Sequence, residues 1–302
     1  MKIAYINKRF SKTSLAIIEY ANDIIEEYAS QGYTLTLRQL YYQFVARDLI
    51  ANRQSEYKRL GSVIADARLA GMVDWNAIED RGRNIHRPVT WENPPTIIDA
   101  CAEQYKLDLW KDQNYRPEVW IEKEALLSIA QAACEPYRVP YFACKGYVSQ
   151  SAMWDAGARR IRSYINAGQI PVVIHLGDHD PSGIDMTRDI FERLDLFIGD
   201  PIDIKRIALN FSQIEQYKPP PNPAKITDSR FNGYADKYGE ESWELDALSP
   251  KVLVSLIQDE IFSLLDKEKW DILIEQEKHE KETLSAIADN YDLVIKAVSE
   301  RG

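Results

Sequence analysis

Cysteine is scarce in this chain. Cys101, Cys134 and Cys144 are the only three among 302 residues, and they form neither a CxxC pair nor a metal-ligand spacing. A disulfide scaffold and a thiolate metal site are thereby excluded, and a reduced compartment is the economical expectation. No apolar run approaches the ~20 residues that span a bilayer, so no membrane partner is expected. The opening "MKIAYINKRF" lacks the continuous apolar core of a secretory leader, which makes a cytoplasmic location the expectation. There is no GxxxxGK[ST] phosphate cradle, no internal repeat and no low-complexity tract. Aromatics, at 11% of the chain, are too plentiful for a disordered protein. The length favours two domains over one.

A formal charge of −10 speaks against nucleic acid until its distribution is considered. Residues 240–302 carry 16 acidic against 7 basic residues, nearly the whole excess, whereas residues 36–87 carry 9 basic against 6 acidic. A basic segment on an otherwise acidic chain is compatible with DNA binding.

Apolar spacing of three and four predicts a helix over residues 11–30, with Ile17, Ile18, Ala21, Ile24 and Ile25 on one side. A second helix, "LRQLYYQFVARD", is capped by Thr36, and a third is capped by Ser55 and runs to Ala70. The following "MVDWNAIEDRGRNIHRP" reads as irregular or short-strand chain. This order fits a helix-turn-helix or winged-helix unit, and equally any small helical subdomain. From Pro117 the period changes. "EVWI", "VPYFAC" and "PVVIHL" are strand-like, each followed by a helix (Ala125–Ala133, Gln150–Ala167, Ile184–Leu194), and "DPIDIKRIAL" offers a fourth strand. Strands alternating with helices predict an α/β domain with a parallel central sheet. A Pro-rich connector over 217–234 reads as a surface loop. Helices follow, one started by Ser249 and Pro250, and a last one striped by Leu284, Ile287, Tyr291, Val294 and Val298. The expected division is 1–112, 113–215 and 216–302.

The chemistry-bearing residues lie at the strand ends. "VWIEKEA" places Glu122 after the first strand, and "PVVIHLGDHDPSG" places Asp178 and Asp180 after the third. In a parallel sheet these ends share one edge, where ligands of open α/β sheets bind. Carboxylates gathered there need a counter-charge. A hard divalent cation, Mg²⁺ or alternatively Mn²⁺, takes oxygen ligands and serves phosphodiester chemistry. The competing reading makes the aspartates helix caps, plausible above all for Asp180 before Pro181. Glu124 and Asp185 are reserves. Lys145, before Gly146 at the end of the middle strand, can hold a phosphate, neutralise a carboxylate, or be a solvated turn residue. His179, between the aspartates, is given no role.

The ordered set "VWIEKEA", "CKGY" and "GDHDPSGID" resembles the Toprim domain of the A subunit of topoisomerase VI and its meiotic double-strand-break relatives. Glu122, Lys145, Gly146, Asp178, Asp180, Pro181 and Gly183 match that pattern position by position. "TLRQLYYQF" is similar to the family's winged-helix motif, in which an Arg precedes a Tyr pair. The resemblance implies an N-terminal CAP-like winged-helix domain, a Toprim domain and a helical C-terminal part. It implies Mg²⁺-dependent cleavage of double-stranded DNA by tyrosine transesterification, with Tyr42 as nucleophile, Arg38 and Lys145 at the phosphate, and Glu122, Asp178 and Asp180 on the metal. It implies a homodimer in which the Tyr of one protomer meets the metal site of the other. With no nucleotide cradle of its own, such a protein would need a separate ATPase subunit for strand passage. Lys58, Arg59 and Arg68 are the candidate DNA contacts. Taken alone, Tyr41 and Tyr42 read as core aromatics of a helix rather than as reactive groups. Two other readings stand beside this one: a Toprim nuclease that uses water, and a winged-helix DNA-binding protein without catalysis.

Overall fold

The computed structural model describes residues 1–30, 32, 34–79, 89–200 and 202–300. Three helices open the chain: α1 (Lys12–Ala29), α2 (Leu37–Ala46) and α3 (Gln54–Leu69). Thr36 starts α2 through a reciprocal cap: its Oγ1 accepts from Gln39 N at 3.2 Å and its N–H donates to Gln39 Oε1 at 2.8 Å. Helix α3 begins two residues earlier than Ser55 would place it, with Arg53 in the cap position and no side-chain cap bond. The apolar faces of the three meet in one core built on Ile18, Ala21, Ile24, Leu40, Phe44, Leu60 and Ile64. Tyr41 and Tyr42 are buried in the same core. Most of the expected irregular stretch after α3, residues 80–88, lies outside the described residues. Helix α4 (Pro94–Gln104) follows.

The second unit is a four-stranded, wholly parallel sheet of order β2-β1-β3-β4: β1 (Tyr115–Ile121), β2 (Tyr141–Ala143), β3 (Ile170–Leu176) and β4 (Asp203–Ala208). The chain is thus mixed α/β with a parallel sheet, as its alternating pattern predicts. In register, Ile121 stands beside both Ala143 and Leu176, so the carboxyl ends of β1, β2 and β3 share one edge. Alternation along the strands sorts the two faces. Val119, Ile121, Val172, Ile174 and Leu176 pack under α5 (Leu127–Cys134) and the later α11 (Pro250–Leu264). Trp120 and Val173 face the other way. Over them lie a helical stretch made of α6 (Gln150–Trp154), a π-helical Asp155–Ile161 and α7 (Arg162–Asn166), and the long α8 (Pro181–Ile198).

The remaining elements are α9 (Phe211–Tyr217), the two-residue strands β5 (Asn222–Pro223) and β6 (Glu241–Ser242), α10 (Phe231–Tyr238), α12 (Lys267–Asp289) and α13 (Tyr291–Ser299). The stripe expected on one last helix is divided between α12 and α13 at Asn290. Two sequence boundaries do not coincide with packing. Trp243, Leu245, Leu253, Ile257 and Ile261 complete the sheet core, Ala247 enters the N-terminal core, and α4 lies against α12. Residues 216–302 are therefore part of both cores. Nor is the Pro-rich connector a loop merely resting on the surface: β5 pairs with β6, and α10 contributes the buried Tyr234. No helix of the described residues is long and apolar enough to cross a membrane.

His175, in the middle of the sheet, is fully buried, with Nδ1 2.9 Å from Thr187 Oγ1 and, among the described residues, no hydrogen-bond partner at Nε2. Burial, aided by the nearby Arg206 charge, lowers its pKa to about 3. A depressed histidine contributes stability that is fully present above the unfolded value near 6.5 and is lost as pH falls toward 3. The buried carboxylates with raised pKa values act in the opposite sense, so the clean readout is a difference. Between pH 7.5 and pH 5.0, urea unfolding of wild type is expected to lose about 2 kcal/mol relative to His175→Gln. Parallel pH profiles for the two proteins would contradict it.

Candidate active site at the sheet edge

The loop after β3 is shaped by its glycines and caps. Asp180 is the N-cap of α8: its Oδ1 accepts from Gly183 N at 2.6 Å and from Ser182 Oγ at 2.9 Å, and Pro181 takes the first helical position, where no N–H is needed. Both readings of Asp180 therefore bear on one side chain, since the capping uses a single carboxylate oxygen. Gly183 allows the loop to close on itself, because a Cβ there would lie 2.2 Å from the Asp178 carbonyl oxygen. Asp178 is buried. Its N–H donates to Glu122 Oε2 at 2.8 Å, and its Oδ1 accepts from Leu245 N at 2.7 Å. The sheet edge thus joins Glu122 to Asp178 directly. Burial raises the Glu122 pKa, with the Asp180 charge adding to it, and raises that of Asp178 well above the ordinary carboxylate range, with Glu122 and Glu244 adding.

Beneath the loop lies Arg206 of β4, half-buried. Its Nη2 donates to the carbonyls of Asp178 (2.7 Å), Gly177 (3.0 Å) and Leu209 (3.3 Å), and its Nη1 to Gly183 O (3.0 Å) and Thr187 Oγ1 (2.8 Å). One planar fork ties the end of β3, the start of α8 and the end of β4 together.

The counter-charge that the acids require is supplied in part by the protein. Lys123, next to Glu122, places Nζ 2.9 Å from Asp178 Oδ1 and 3.1 Å from Asp246 Oδ1, and also pairs with Glu244. Burial alone would lower its pKa; the charges of Asp178, Asp246 and Glu244 outweigh burial and raise it. Arg38 reaches the same two acids, Nε to Asp246 Oδ2 at 2.8 Å and Nη2 to Glu244 Oε2 at 3.0 Å. The acids arrive from the C-terminal part because Trp243 and His179 exchange backbone hydrogen bonds at 2.8 and 2.9 Å, which lays residues 243–246 along the Asp178 loop.

Arg38, Tyr42, Glu122, Asp178, Asp180 and Glu244 line one cleft of about 440 Å³ between α2 and the sheet edge. All of these residues line the cleft from within one chain. Tyr42 is 5% exposed, with the Arg38 guanidinium 5.7 Å from its ring centre. Burial, followed by the charges of Asp246 and Glu244, pushes its phenol up to about 12, against the opposing pull of Arg38 and Lys123. Lys145 adopts a left-handed backbone (φ 55°) and pairs through Nζ with Glu124 Oε1 at 2.7 Å, rather than with Glu122, Asp178 or Asp180. Asp185 is turned to Arg188 and Arg230, at 2.8 and 2.9 Å. His179 sits among Phe211, Tyr234, Tyr238 and Trp243 and bonds Tyr234 Oη through Nδ1 at 2.8 Å. Of the candidate DNA contacts, Lys58 is exposed and Arg59 is exposed beside Glu56 (2.6 Å). Arg68 instead stacks on Trp75 at 4.8 Å and donates to its carbonyl at 2.5 Å.

No protein-family model matches this chain, and no curated protein matches it. The site therefore rests on its own geometry. Its carboxylate donors, Glu122, Asp178, Asp180 and Glu244, are all oxygen, the donor type that suits a hard cation. Among the described residues, no three His, Cys, Asp or Glu side chains are arranged as a ligand set, since Lys123 and backbone N–H groups engage part of the oxygens. Four residues of the site escaped the sequence reading: Lys123, Arg206, Glu244 and Asp246. A signal existed for the first, a lysine lodged between two glutamates at a strand end, and for the second, an arginine inside a strand that is otherwise half apolar.

Proposed function

We propose that this chain is a Mg²⁺-dependent DNA-cleaving transesterase, similar to the A subunit of topoisomerase VI, with a winged-helix unit in residues 1–112 and a Toprim sheet behind the acidic edge. The observation that carries this reading is the single cleft that brings Tyr42 and Arg38 of α2 against Glu122, Asp178 and Asp180. In the proposed step the Tyr42 oxygen bonds to phosphorus and the bond from phosphorus to one deoxyribose oxygen breaks. That oxygen takes up a proton, and the phenolic proton leaves to solvent. The bond energy is kept in a phosphotyrosine that can be re-closed. Glu122, Asp178 and Asp180 would hold Mg²⁺, which when bound polarises a phosphoryl oxygen. Arg38 lies over the Tyr42 ring, placed to meet the phosphate and to favour the phenolate. A double-strand break needs two such clefts, so the working unit is a homodimer; strand passage would call on a separate ATPase subunit.

A hydrolytic nuclease on the same edge is the second reading, favoured by one observation: the Tyr42 phenol, raised to about 12, is a poor nucleophile at neutral pH. Tyr42→Phe separates the two. The transesterase reading expects the variant to bind DNA within about twofold of wild type and to lose more than about 1000-fold in cleavage rate, as for removal of a covalent nucleophile. Retained cleavage would assign the edge to water.

A further inference from the structure

The wall of the cleft opposite the acids is chemically different from them. It is made by Tyr41 of α2, Asn52 of the turn that follows, and Gln54 and Tyr57 of α3, with Asn222 and Lys225 of the connector. Tyr57 is half-buried and meets Tyr41 edge-on, ring centres 5.3 Å apart. Among the described residues, neither the Tyr57 hydroxyl nor the exposed Gln54 amide has a hydrogen-bond partner, and Lys225 is exposed without an ion pair. Asn52 behaves otherwise. It accepts from Tyr41 Oη at 3.0 Å and donates to Asn222 Oδ1 at 2.5 Å, which fastens the connector across the cleft. The half-open space of about 440 Å³ is of the size that takes one small ligand, less than a stack of base pairs needs. An aromatic ring, a free amide and a cation facing a phosphate-chemistry edge are the groups that read an unpaired base, by stacking and by its hydrogen-bonding edge.

We infer that the cleft receives a single unpaired nucleotide, with its base against Tyr57 and Gln54 and its phosphate toward Arg38 and the acidic edge. The inference rests on the proposed reading of that edge as a phosphodiester site and adds the substrate class: DNA carrying a nucleotide out of its stack. A free nucleoside monophosphate presents the same chemistry.

The test compares fluorescence anisotropy in Mg²⁺ for a fully paired duplex and for the same duplex with one extra unpaired thymidine, with dTMP as a third probe and detergent-resistant capture of each DNA scored in parallel. The bulged duplex is expected to bind about tenfold more tightly, the worth of one base-aromatic stack. Gln54→Ala and Tyr57→Leu should each bring the ratio within about twofold, leaving paired DNA unaffected; Gln54, exposed, guards against a folding defect at Tyr57. Binding of dTMP without binding of either duplex supports the single-nucleotide cleft and assigns it a free nucleotide. Equal affinity for the two duplexes, or a ratio preserved in both variants, overturns the inference, and covalent capture of paired DNA in that case leaves the transesterase reading intact. Failure of every probe to bind overturns both.

Discussion

Gly183→Ala is expected to abolish DNA cleavage, by more than about 100-fold, and to lower stability by about 3 kcal/mol. The added Cβ would stand 2.2 Å from the Asp178 carbonyl oxygen and 3.0 Å from its carbon, both backbone atoms that cannot rotate away. The loop must move, and it takes with it the Gly183 N–H that holds Asp180 and the Asp178 N–H that holds Glu122. Overpacking of this kind costs about 1–3 kcal/mol or more, and a displacement near 1 Å at a reacting centre costs about 100-fold in rate. Gly233, inside α10, is the matched control: nothing lies within 4 Å of its Cβ position, so Gly233→Ala should be neutral or stabilising by up to about 1 kcal/mol. Denaturant unfolding and cleavage rates of the two variants measure the contrast. Equal behaviour would contradict the close approach at Gly183.

Arg206→Met is expected to destabilise the fold by about 3–5 kcal/mol and to lose cleavage with it. Methionine replaces the stem but not the fork, so the carbonyls of Gly177, Asp178, Gly183 and Leu209 lose a buried donor, each loss worth about 1–3 kcal/mol before relaxation. The same change removes a positive charge from beside Glu122, Asp178 and Asp180 and so removes a pull that favours the ionised form of Glu122. Burial already lowers the Arg206 pKa below that of a free guanidinium. Arg206→Lys should not rescue, since an ammonium cannot bridge three backbone segments in one plane. Unfolding free energies of the three proteins decide the point: a lysine variant as stable as wild type would mean that charge alone, not the fork, holds the loop.

The acidic edge was legible in the sequence for a simple reason. A β-branched apolar run ending in Gly-Asp-His-Asp fixes where a strand stops, and two intervening β-α units fix which edge Glu122 and Asp178 share; their direct bond is the register of β1 and β3 made visible. Asp180 carried a cap signal in the Pro that follows it, and it caps. Tyr42 and Arg38 were legible only through a motif, because a tyrosine on an amphipathic helix looks the same whether it packs or reacts. Here it does pack, and lines the cleft as well. Glu244 and Asp246 were not legible. Within an acidic C-terminal stretch nothing local distinguishes them, and their role comes from a backbone bridge between Trp243 and His179 that only the folded chain makes. The same bridge explains the blurred domain boundary: residues after 240 cover the sheet and reach α2 through Arg38 at once. The connector was misjudged for a related reason, since Asn222 gains its meaning from Asn52, far away in sequence.

The most direct test of the central claim is to incubate end-labelled plasmid fragments with the protein and Mg²⁺, stop with detergent, and follow the label through protein and peptide. The account predicts that label stays with denatured protein until protease digestion, that it maps to the peptide containing Tyr42, and that Tyr42→Phe yields none. Cut DNA free of protein, or an adduct on any other residue, would contradict it.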